Sequence, residues 1–283
     1  MIEKLYLSAD DIKTIIPVRR PETHKGDYGK ILLLCGSRGY TGAAALAAMG
    51  ALRSGAGLVY LGVPESIYDI EAVKLTEPVI IPLKEEDHEL CLHSVKQIHS
   101  LLAKADAVLI GPGLGQSDAV TEFVTEVLKT CQCPVVLDAD GINAISRNID
   151  ILRDRKAATI LTPHDVEFTR MGFTLSSDRC ADACFAANYL NCIILLKGHR
   201  TVITDGKRCY INQTGNPGMA CGGSGDVLAG VIASLLGQKI DPLPAAACAA
   251  WLHGAAGDIC AEQIGQYGML PQDMVNALPR LLP

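Results

Sequence analysis

Hydrophobic residues follow two alternating patterns along this chain. Short runs rich in Ile, Leu and Val are separated by Ala-rich segments in which apolar residues recur at helical spacing. This alternation predicts βαβ units around a largely parallel sheet. The predicted strands span 30–35, 57–63, 107–111, 134–138, 157–161 and 192–196, and the predicted helices span 42–54, 89–103, 118–130, 177–190, 225–237 and 243–264. Within 201–212, Asp205-Gly206 predicts a hairpin turn between two short strands.

Composition restricts both the fold classes and the classes of binding partner that are compatible with this sequence. Of the 283 residues, 49% are hydrophobic but only 5% are aromatic, so Ala, Val, Ile and Leu must form the core of a layered α/β protein. No linker or repeat interrupts the pattern, and we expect a single domain over 1–283. The chain carries 25 Lys+Arg against 31 Asp+Glu, a formal charge of −6, and has no basic stripe. This balance argues against binding to nucleic acid or to an anionic membrane.

The cysteines are numerous, and they point to a reducing compartment. There are 11, an odd number, and the first residues lack a basic segment followed by an apolar one. We therefore expect a soluble cytoplasmic protein whose thiols are reduced and act as small buried hydrophobes. Cys131 and Cys133 form a C-x-C pair, and Cys180 and Cys184 form a C-x3-C pair. Neither pair belongs to a second one at zinc-ligand spacing.

Two glycine-rich loops follow predicted strands, where the carboxyl ends of a parallel sheet gather functional residues. The segment 36–42 reads G-x-x-G-x-x-G before a helix, and Glu65 ends the next strand, as a ribose ligand would in a Rossmann fold. The spacing departs from the dinucleotide fingerprint, and close helix–sheet packing explains the loop equally well. The segment 111–115, GPGLG, permits close approach of a ligand, or is a tight turn fixed by Pro112.

The strongest signal is the segment 212–230, NQTGNPGMACGGSGDVLAG. The amides of Gly222, Gly223, Ser224 and Gly225 can form an anion-binding nest at the start of a helix. No lysine follows the glycines, so the segment is not a Walker loop. Asp226 could cap the helix or take a proton from a substrate hydroxyl, and beside an anion nest we favour the base.

Three further strand ends carry polar side chains. Lys197 could neutralise a nucleotide phosphate or be a solvated charge. In LTPHDVE, His164 could contact substrate and Glu167 could organise the waters of a metal ion, although the segment also reads as an ordinary helix entry with Asp165 near the cap. In LDADGIN, two carboxylates share one strand face if the strand continues, or they belong to a turn.

Taken in order, these motifs resemble the ADP-dependent NAD(P)H-hydrate dehydratases of the ribokinase-like superfamily. The resemblance covers nearly the whole chain. It rests on HKGDYGK (24–30), GSRGYTGAA (36–44), GPGLG (111–115), LDADGIN (137–143), LTPH (161–164), LKGHRTV (196–202) and TGNPGMACGGSGDVLAG (214–230). It implies an α/β fold, specifically a ribokinase-like three-layer α/β/α sandwich with a mainly parallel central sheet.

The resemblance also implies a reaction. The S epimer of hydrated NADH or NADPH would be phosphorylated by ADP at its ring hydroxyl and would then eliminate phosphate, restoring the dinucleotide and releasing AMP. Asp226 would accept the hydroxyl proton, the amides of Gly222, Gly223, Ser224 and Gly225 would hold the phosphoryl group, and Mg²⁺ would bridge the nucleotide phosphates. The residues implied for the nucleotide are Lys197, Gly198, His199, Arg200, Thr201 and Gly225. Those implied for the hydrated dinucleotide are Ala43, Gly113 or Gly115, His164 and Asp226.

Some features depart from the family or have no assigned role. Cys221 stands where the family more often has a hydroxyl residue. The epimerase domain of some relatives is absent from this sequence, so we expect no interconversion of the two epimers. The family commonly forms tetramers, and the Ala-rich segment 243–264 could supply packing surface. His24, within HKGDYGK, is expected near the substrate entrance.

Three other functions compete with the dehydratase. A ribokinase-fold kinase acting on a vitamin-precursor alcohol would use the same aspartate and anion nest. A nucleotide-sensing module without turnover would use the same loops, but an intact Asp226 argues against it. A Rossmann oxidoreductase would rest on segment 36–42 and Glu65, and it would leave 214–230 unexplained.

Overall fold

A mixed sheet of ten strands forms the centre of the computed structural model, which describes residues 3–283. The strands of this sheet are β1 (Glu3–Leu5), β2 (Lys30–Leu34), β3 (Leu58–Pro64), β4 (Val79–Leu83), β7 (Ala107–Ile110), β8 (Val135–Leu137), β9 (Thr159–Leu161), β10 (Ile193–Leu196), β11 (Val202–Thr204) and β12 (Arg208–Ile211). Their order is β1-β12-β11-β10-β9-β8-β7-β2-β3-β4. A separate small hairpin pairs β5 (Glu85–Glu86) with β6 (Glu89–Leu90).

The sheet is parallel except at β11. This strand runs antiparallel to both β10 and β12, and all the other neighbours pair in parallel. The hairpin predicted within 201–212 is therefore confirmed, and Asp205 stabilises its turn by accepting the amides of Lys207 and Arg208. Because the long run of strands is parallel, the loops that follow them gather at one edge of the sheet.

Helices cover both faces of the sheet. They are α1 (Ala9–Ile15), α2 (Thr41–Arg53), α3 (Tyr68–Lys74), α4 (Leu92–Leu102), α5 (Asp118–Thr130), α6 (Asp140–Ile145), α7 (Asp165–Arg170), α8 (Arg179–Leu190), α9 (Ser224–Gly237), α10 (Pro242–Gln263) and α11 (Pro271–Ala277). Buried residues of α1, α2, α9, α10 and α11 share one core cluster, and those of α4 to α8 share the other. Alternate residues of β2 face each cluster, since Ile31 and Leu33 lie in the first and Leu32 and Leu34 in the second. The expected three-layer α/β/α arrangement is confirmed.

Close packing of α2 against α9 holds the start of α9 in place. A Cβ atom on Gly230 would lie 2.1 Å from the carbonyl oxygen of Ala47, and one on Gly50 would lie 2.5 Å from that of Val227. Only glycine permits this approach of the two backbones. Gly230, the last residue of the motif 212–230, is therefore required for the packing of α9 against α2.

None of the helices within residues 3–283 combines the length and the apolar character needed to cross a membrane. Nine of the cysteines are buried, while Cys133 and Cys221 are half-buried. Burial of this kind agrees with the interpretation of most of these side chains as small hydrophobes.

Candidate active site

A buried ion pair lies where β8 and β10 end. Lys197 Nζ is 2.8 Å from Asp138 Oδ1, which also accepts the Thr162 hydroxyl at 2.6 Å. Asp138 is only 1% exposed. Burial alone would lower the pKa of Lys197, but the carboxylates of Asp138 and Glu167 outweigh it and raise that pKa. Lys197 therefore stays charged and is a paired, buried cation, not a solvated one.

Asp226 is the third residue of α9 and lies beside this pair. The helix begins at Ser224 after Gly223, so the alternative that Asp226 caps the helix is wrong. Its carboxylate accepts no hydrogen bond from residues 3–283. Burial, and then the charge of Asp138, raise the pKa of Asp226 from 3.8 to about 6, although Lys197 opposes them. Such a group is ionised near neutral pH and is basic enough to accept a proton.

The start of α9 presents free amides in the segment where an anion nest is predicted. Gly223 adopts a left-handed conformation with φ of 95°, and a Cβ on Gly222 would meet nothing within 4 Å. Within the described part of the chain, the amides of Gly222, Gly223, Gly225 and Asp226 find no acceptor. The positive end of the α9 dipole adds to them. These free donors suit an oxyanion such as a phosphoryl group.

A cleft of about 1080 Å³ opens onto this nest. Its lining includes the whole predicted nucleotide run 197–201, together with His164, Gly222, Ser224 and Gly225. Apolar side chains of Leu228, Met219 and Ala250 line it as well. The structure thus brings the nucleotide-binding candidates and three of the four phosphate-binding candidates into one cavity, while Gly223 and Asp226 are not among its lining residues.

The other substrate candidates meet at a neighbouring pair of loops. A Cβ on Gly113 would lie 3.0 Å from Ala43 Cβ, and Ser37 Oγ donates to the Gly113 carbonyl at 2.9 Å. Gly115 donates its amide to Asp140 Oδ2 at 3.0 Å. The charge of Asp140 contributes to the raised pKa of Asp226, so these loops lie near the candidate base. They do not line the 1080 Å³ cleft.

The two carboxylates of LDADGIN have separate roles. β8 ends at Leu137, and Ala139 turns the chain with φ of 47°. Asp138 and Asp140 therefore do not share a strand face. Asp138 pairs with Lys197, while Asp140 binds the GPGLG loop and also accepts from Asn143. The turn lies at Ala139, and Asp140 and Gly141, which were expected within it, begin α6.

The LTPH segment is a helix entry that His164 caps. Its Nδ1 accepts the amides of Val166 and Glu167, at 3.1 and 3.2 Å. Glu167 returns a bond, since its Oε2 accepts the His164 amide at 2.8 Å and lies 3.7 Å from Lys197 Nζ. The predicted helix entry is confirmed, with His164 as the cap and Asp165 as the first residue of the helix.

Sequence reasoning missed Arg179, which joins two loops of the cleft. Its Nη2 donates to the Lys197 carbonyl at 2.7 Å, and its Nη1 bonds Asp165 Oδ1 at 2.6 Å. Because Lys197 also donates its amide to Pro163, the loops after β9 and β10 are held together twice. An arginine at the start of a helix carries no sequence signal for this role.

Sequence reasoning also left His253 without a role. It lies on α10, lines the cleft, and places Nε2 3.3 Å from Ser224 Oγ. Burial is the main cause that lowers the pKa of His253 to about 4, so the imidazole is neutral at pH 7. A neutral His253 supports Ser224 at the nest without adding charge.

The expectation for His24 is wrong. A Cβ on Gly29, in the same HKGDYGK motif, would lie 2.3 Å from the carbonyl oxygen of Gly237. This motif therefore packs at the end of α9, whereas the candidate base is at its start. Asp226 and Gly237 are eleven residues apart on α9, which corresponds to roughly 17 Å along the helix axis.

Comparison with known proteins agrees with this geometry. A family model described as NAD(P)H-hydrate dehydratase matches residues 31–280. The bifunctional NAD(P)H-hydrate repair enzyme Nnr of Moorella thermoacetica is 43% identical over 98% of this chain and 53% of its own length. The chain spans about half the length of the bifunctional repair enzymes that it matches.

Two solved structures cover nearly the whole length of both chains. A ribokinase-like superfamily protein from Enterococcus faecalis has a TM-score of 0.87 and 29% identity, covering 98% of this chain and 94% of its own. The ADP/ATP-dependent NAD(P)H-hydrate dehydratase of Bacillus subtilis, co-crystallised with ATP/Mg²⁺, has a TM-score of 0.83 and 34% identity, covering 97% and 96%. The fold is therefore ribokinase-like, and the chain belongs to the NAD(P)H-hydrate dehydratase family.

Proposed function

We propose that this protein dehydrates the S epimer of hydrated NADH or NADPH at the expense of ADP, restoring the dinucleotide and releasing AMP and phosphate. Family membership supports the reaction class. One structural observation supports the assignment of this reaction to this chain. The unbonded carboxylate of Asp226 follows directly after the free amides of Gly222, Gly223 and Gly225, and a cleft large enough for a nucleotide is lined by Gly222 and Gly225 of the same segment.

Asp226 acts as the general base. With its pKa raised to about 6, it is mostly ionised at pH 7 and accepts the proton of the ring hydroxyl. The hydroxyl oxygen then attacks the β-phosphoryl group of ADP, and AMP leaves. The free amides of Gly222, Gly223 and Gly225 hold the charge that develops on the transferred group, whereas the Ser224 amide, also expected there, donates to the Cys221 carbonyl at 3.3 Å. Lys197, kept charged by Asp138 and Glu167, adds a fixed positive charge beside them.

Phosphorylation changes the leaving group and so makes the second step possible. Hydroxide leaves poorly, whereas phosphate leaves well, and the nicotinamide ring supplies the electron pair that expels it. Elimination with loss of a ring proton restores the double bond and yields NADH or NADPH and inorganic phosphate. The protein's role in this step is to hold the phosphate at the nest while the bond breaks.

The cleft divides between nucleotide and substrate. Residues Lys197, Gly198, His199, Arg200 and Thr201, with Gly225, bind ADP, and the apolar wall at Leu228, Met219 and Ala250 suits the adenine ring. The loops of Ala43, Gly113 and Gly115 bind the hydrated dinucleotide next to Asp226. His164 lies in the cleft between the two regions and contacts substrate from the nucleotide side.

The residues fit a magnesium ion that arrives with the nucleotide. Mg²⁺ keeps several waters and binds through one or two carboxylates plus substrate phosphates. No group of three His, Cys, Asp or Glu side chains suited to hold a metal occurs within residues 3–283. Glu167, buried next to Lys197, would hold the ion through water. When bound, the ion neutralises phosphate charge as the phosphoryl group transfers.

We also propose that residues 1–283 form a single catalytic domain and assemble as a homotetramer. The continuous ten-stranded sheet supports the single domain. The tetramer is proposed because the family commonly forms tetramers. Size-exclusion chromatography with light scattering tests it.

The test of function mixes the purified protein with hydrated NADH, ADP and Mg²⁺. NADH absorbance returns if the proposal is right, and one AMP appears for each NADH formed. Asp226→Asn, compared with the matched first-turn variant Asp118→Asn, should abolish the return while the control retains it. An ordinary alcohol kinase would accumulate a phosphate ester without restoring NADH, and that result would replace the proposed activity.

A further inference from the structure

Cys131 and Cys133 form a thiol pair at the end of the sheet opposite the cleft. Cys131 follows the last residue of α5, and Cys133 lies two residues before β8. Their Sγ atoms are 3.5 Å apart. Cys131 is 3% exposed, whereas Cys133 is half-buried and reachable from solvent. One sulfur is thus accessible, and the other lies in contact behind it.

A single arginine organises the turn that carries both thiols. Arg155 donates from Nη1 to the Cys131 carbonyl and from Nη2 to the Cys133 carbonyl, each at 3.0 Å. Its Nε donates to Thr159 Oγ1 at 3.1 Å, which fixes the guanidinium against β9. The two sulfurs are therefore held together by a rigid, positively charged support.

The surroundings of the pair favour a thiolate. The hydrogen bond from the Cys133 thiol is the main cause that lowers the pKa of Cys131 to about 6, and Arg155 contributes in the same direction against burial. A thiolate in contact with a second thiol is the arrangement that thiol–disulfide exchange requires.

We propose that Cys131 and Cys133 form a reversible disulfide by exchange with low-molecular-weight disulfides, a modification site separate from the dehydratase chemistry. The ionised pair holds one proton. Cys133, the sulfur that solvent reaches, passes this proton to the Cys131 sulfur and attacks the external disulfide RSSR, which forms Cys133–S–SR and releases RS⁻. RS⁻ removes the proton from Cys131, whose thiolate attacks Cys133 Sγ and expels the second RS⁻, which takes a proton from solvent. The thiolate–thiol pair, RSSR and one solvent proton thus yield one protein disulfide and two RSH.

The C-x3-C pair supplies the matched comparison. Cys180 and Cys184 are both buried, and the Cys184 thiol contacts Thr204 Oγ1 at 3.1 Å. Neither sulfur of this pair is reachable, so exchange cannot begin there. Oxidation should discriminate between the two pairs even though both are closely spaced in sequence.

The first experiment uses the wild-type protein. Native protein is incubated with oxidised glutathione, acid-quenched, alkylated, digested and mapped by mass spectrometry. The expected product is a peptide with a Cys131–Cys133 disulfide, lighter than the reduced peptide by about 2 Da for two lost hydrogens, and fully restored by dithiothreitol. Cys180 and Cys184 stay alkylated. A wild-type map in which both Cys131 and Cys133 remain alkylated overturns the proposal.

Two variants test the order of attack. In Cys131→Ser, Cys133 should retain a stable glutathione adduct because no thiol resolves it. In Cys133→Ser, buried Cys131 should remain unmodified, and Cys184→Ser should oxidise like wild type. An unmodified Cys133 in a folded Cys131→Ser variant contradicts the mechanism. If a variant does not fold by circular dichroism, the wild-type map alone decides, and dehydratase activity plays no part in the test.

Discussion

Replacing Asp226 by Asn should stabilise the folded protein while removing its activity. The native carboxylate is buried and faces Asp138, and these two causes raise its pKa from 3.8 to about 6. Asn has nearly the same shape but carries no charge. A shift of about 2 pKa units corresponds to about 3 kcal/mol as an upper value, because each unit is worth about 1.4 kcal/mol.

The stability difference between Asp226→Asn and the native protein should depend on pH. Since the folded pKa is raised, the native protein keeps the full stability contribution below about pH 4 and loses it as pH rises through about 6. The introduced amide side chain does not ionise, so the stability of the Asp226→Asn variant does not fall over this pH range through this position. Its advantage in the free energy of unfolding should therefore be close to zero near pH 4 and reach about 2 to 3 kcal/mol near pH 8.

Urea denaturation followed by circular dichroism at these two pH values measures the difference. Asp118→Asn is the control, because Asp118 is an exposed acidic residue in the first turn of α5. That variant should lose up to about 1 kcal/mol at pH 8 through its weaker interaction with the helix dipole. An Asp226→Asn variant that is destabilised at pH 8, or equally stabilised at both pH values, would refute the electrostatic account.

The same carboxylate should control the rate of the proposed dehydratase reaction. Turnover by Asp226→Asn should fall by about 10² to 10⁴, the usual contribution of a general base. For the native enzyme, kcat/KM should decrease below about pH 6 as Asp226 takes up one proton. A kcat/KM that does not change between about pH 5 and about pH 8 would remove Asp226 from the proton transfer.

Three further substitutions test the surroundings of the site. Lys197→Met should cost about 3 to 5 kcal/mol in denaturation experiments, because it leaves the Asp138 carboxylate buried without its partner, and it should move the acid limb of kcat/KM to higher pH. An unchanged acid limb would contradict that coupling. Arg179→Lys should raise the KM for ADP about 10-fold or more with little change in kcat, since a loop contact is lost; a selective loss of kcat would contradict a positioning role. Gly230→Ala should destabilise by about 1 to 3 kcal/mol through overpacking, whereas Gly42→Ala, which meets open space, should not.

The core strands were predictable because their hydrophobic runs are long and continuous. β2, β3 and β7 to β10 lie at the centre of the sheet, buried on both faces, and their predicted bounds differ from the observed ones by one or two residues. The edge strands β1 and β4 were missed. β4 contains Pro82 and exposed Val79, so its pattern does not resemble that of a buried strand. Short helices such as α1, α3, α6 and α11 were missed because six or seven residues show too little periodicity.

The site was predictable where function depends on backbone conformation, and unpredictable where it depends on side chains that meet only in the fold. The glycines before Asp226 predict an anion nest because only a glycine-rich backbone can turn successive amides toward one point. This requirement is visible in one contiguous segment of the sequence. Asp138, Arg179 and His253 come from three separate elements, and their local sequences fit a turn, a helix start and a core histidine. Burial, and then the charge of Asp138 across the gap between β8 and α9, raise the pKa of Asp226 to about 6. The basicity of the proposed catalytic group is therefore a property of the assembled sheet edge and not of the motif that contains it.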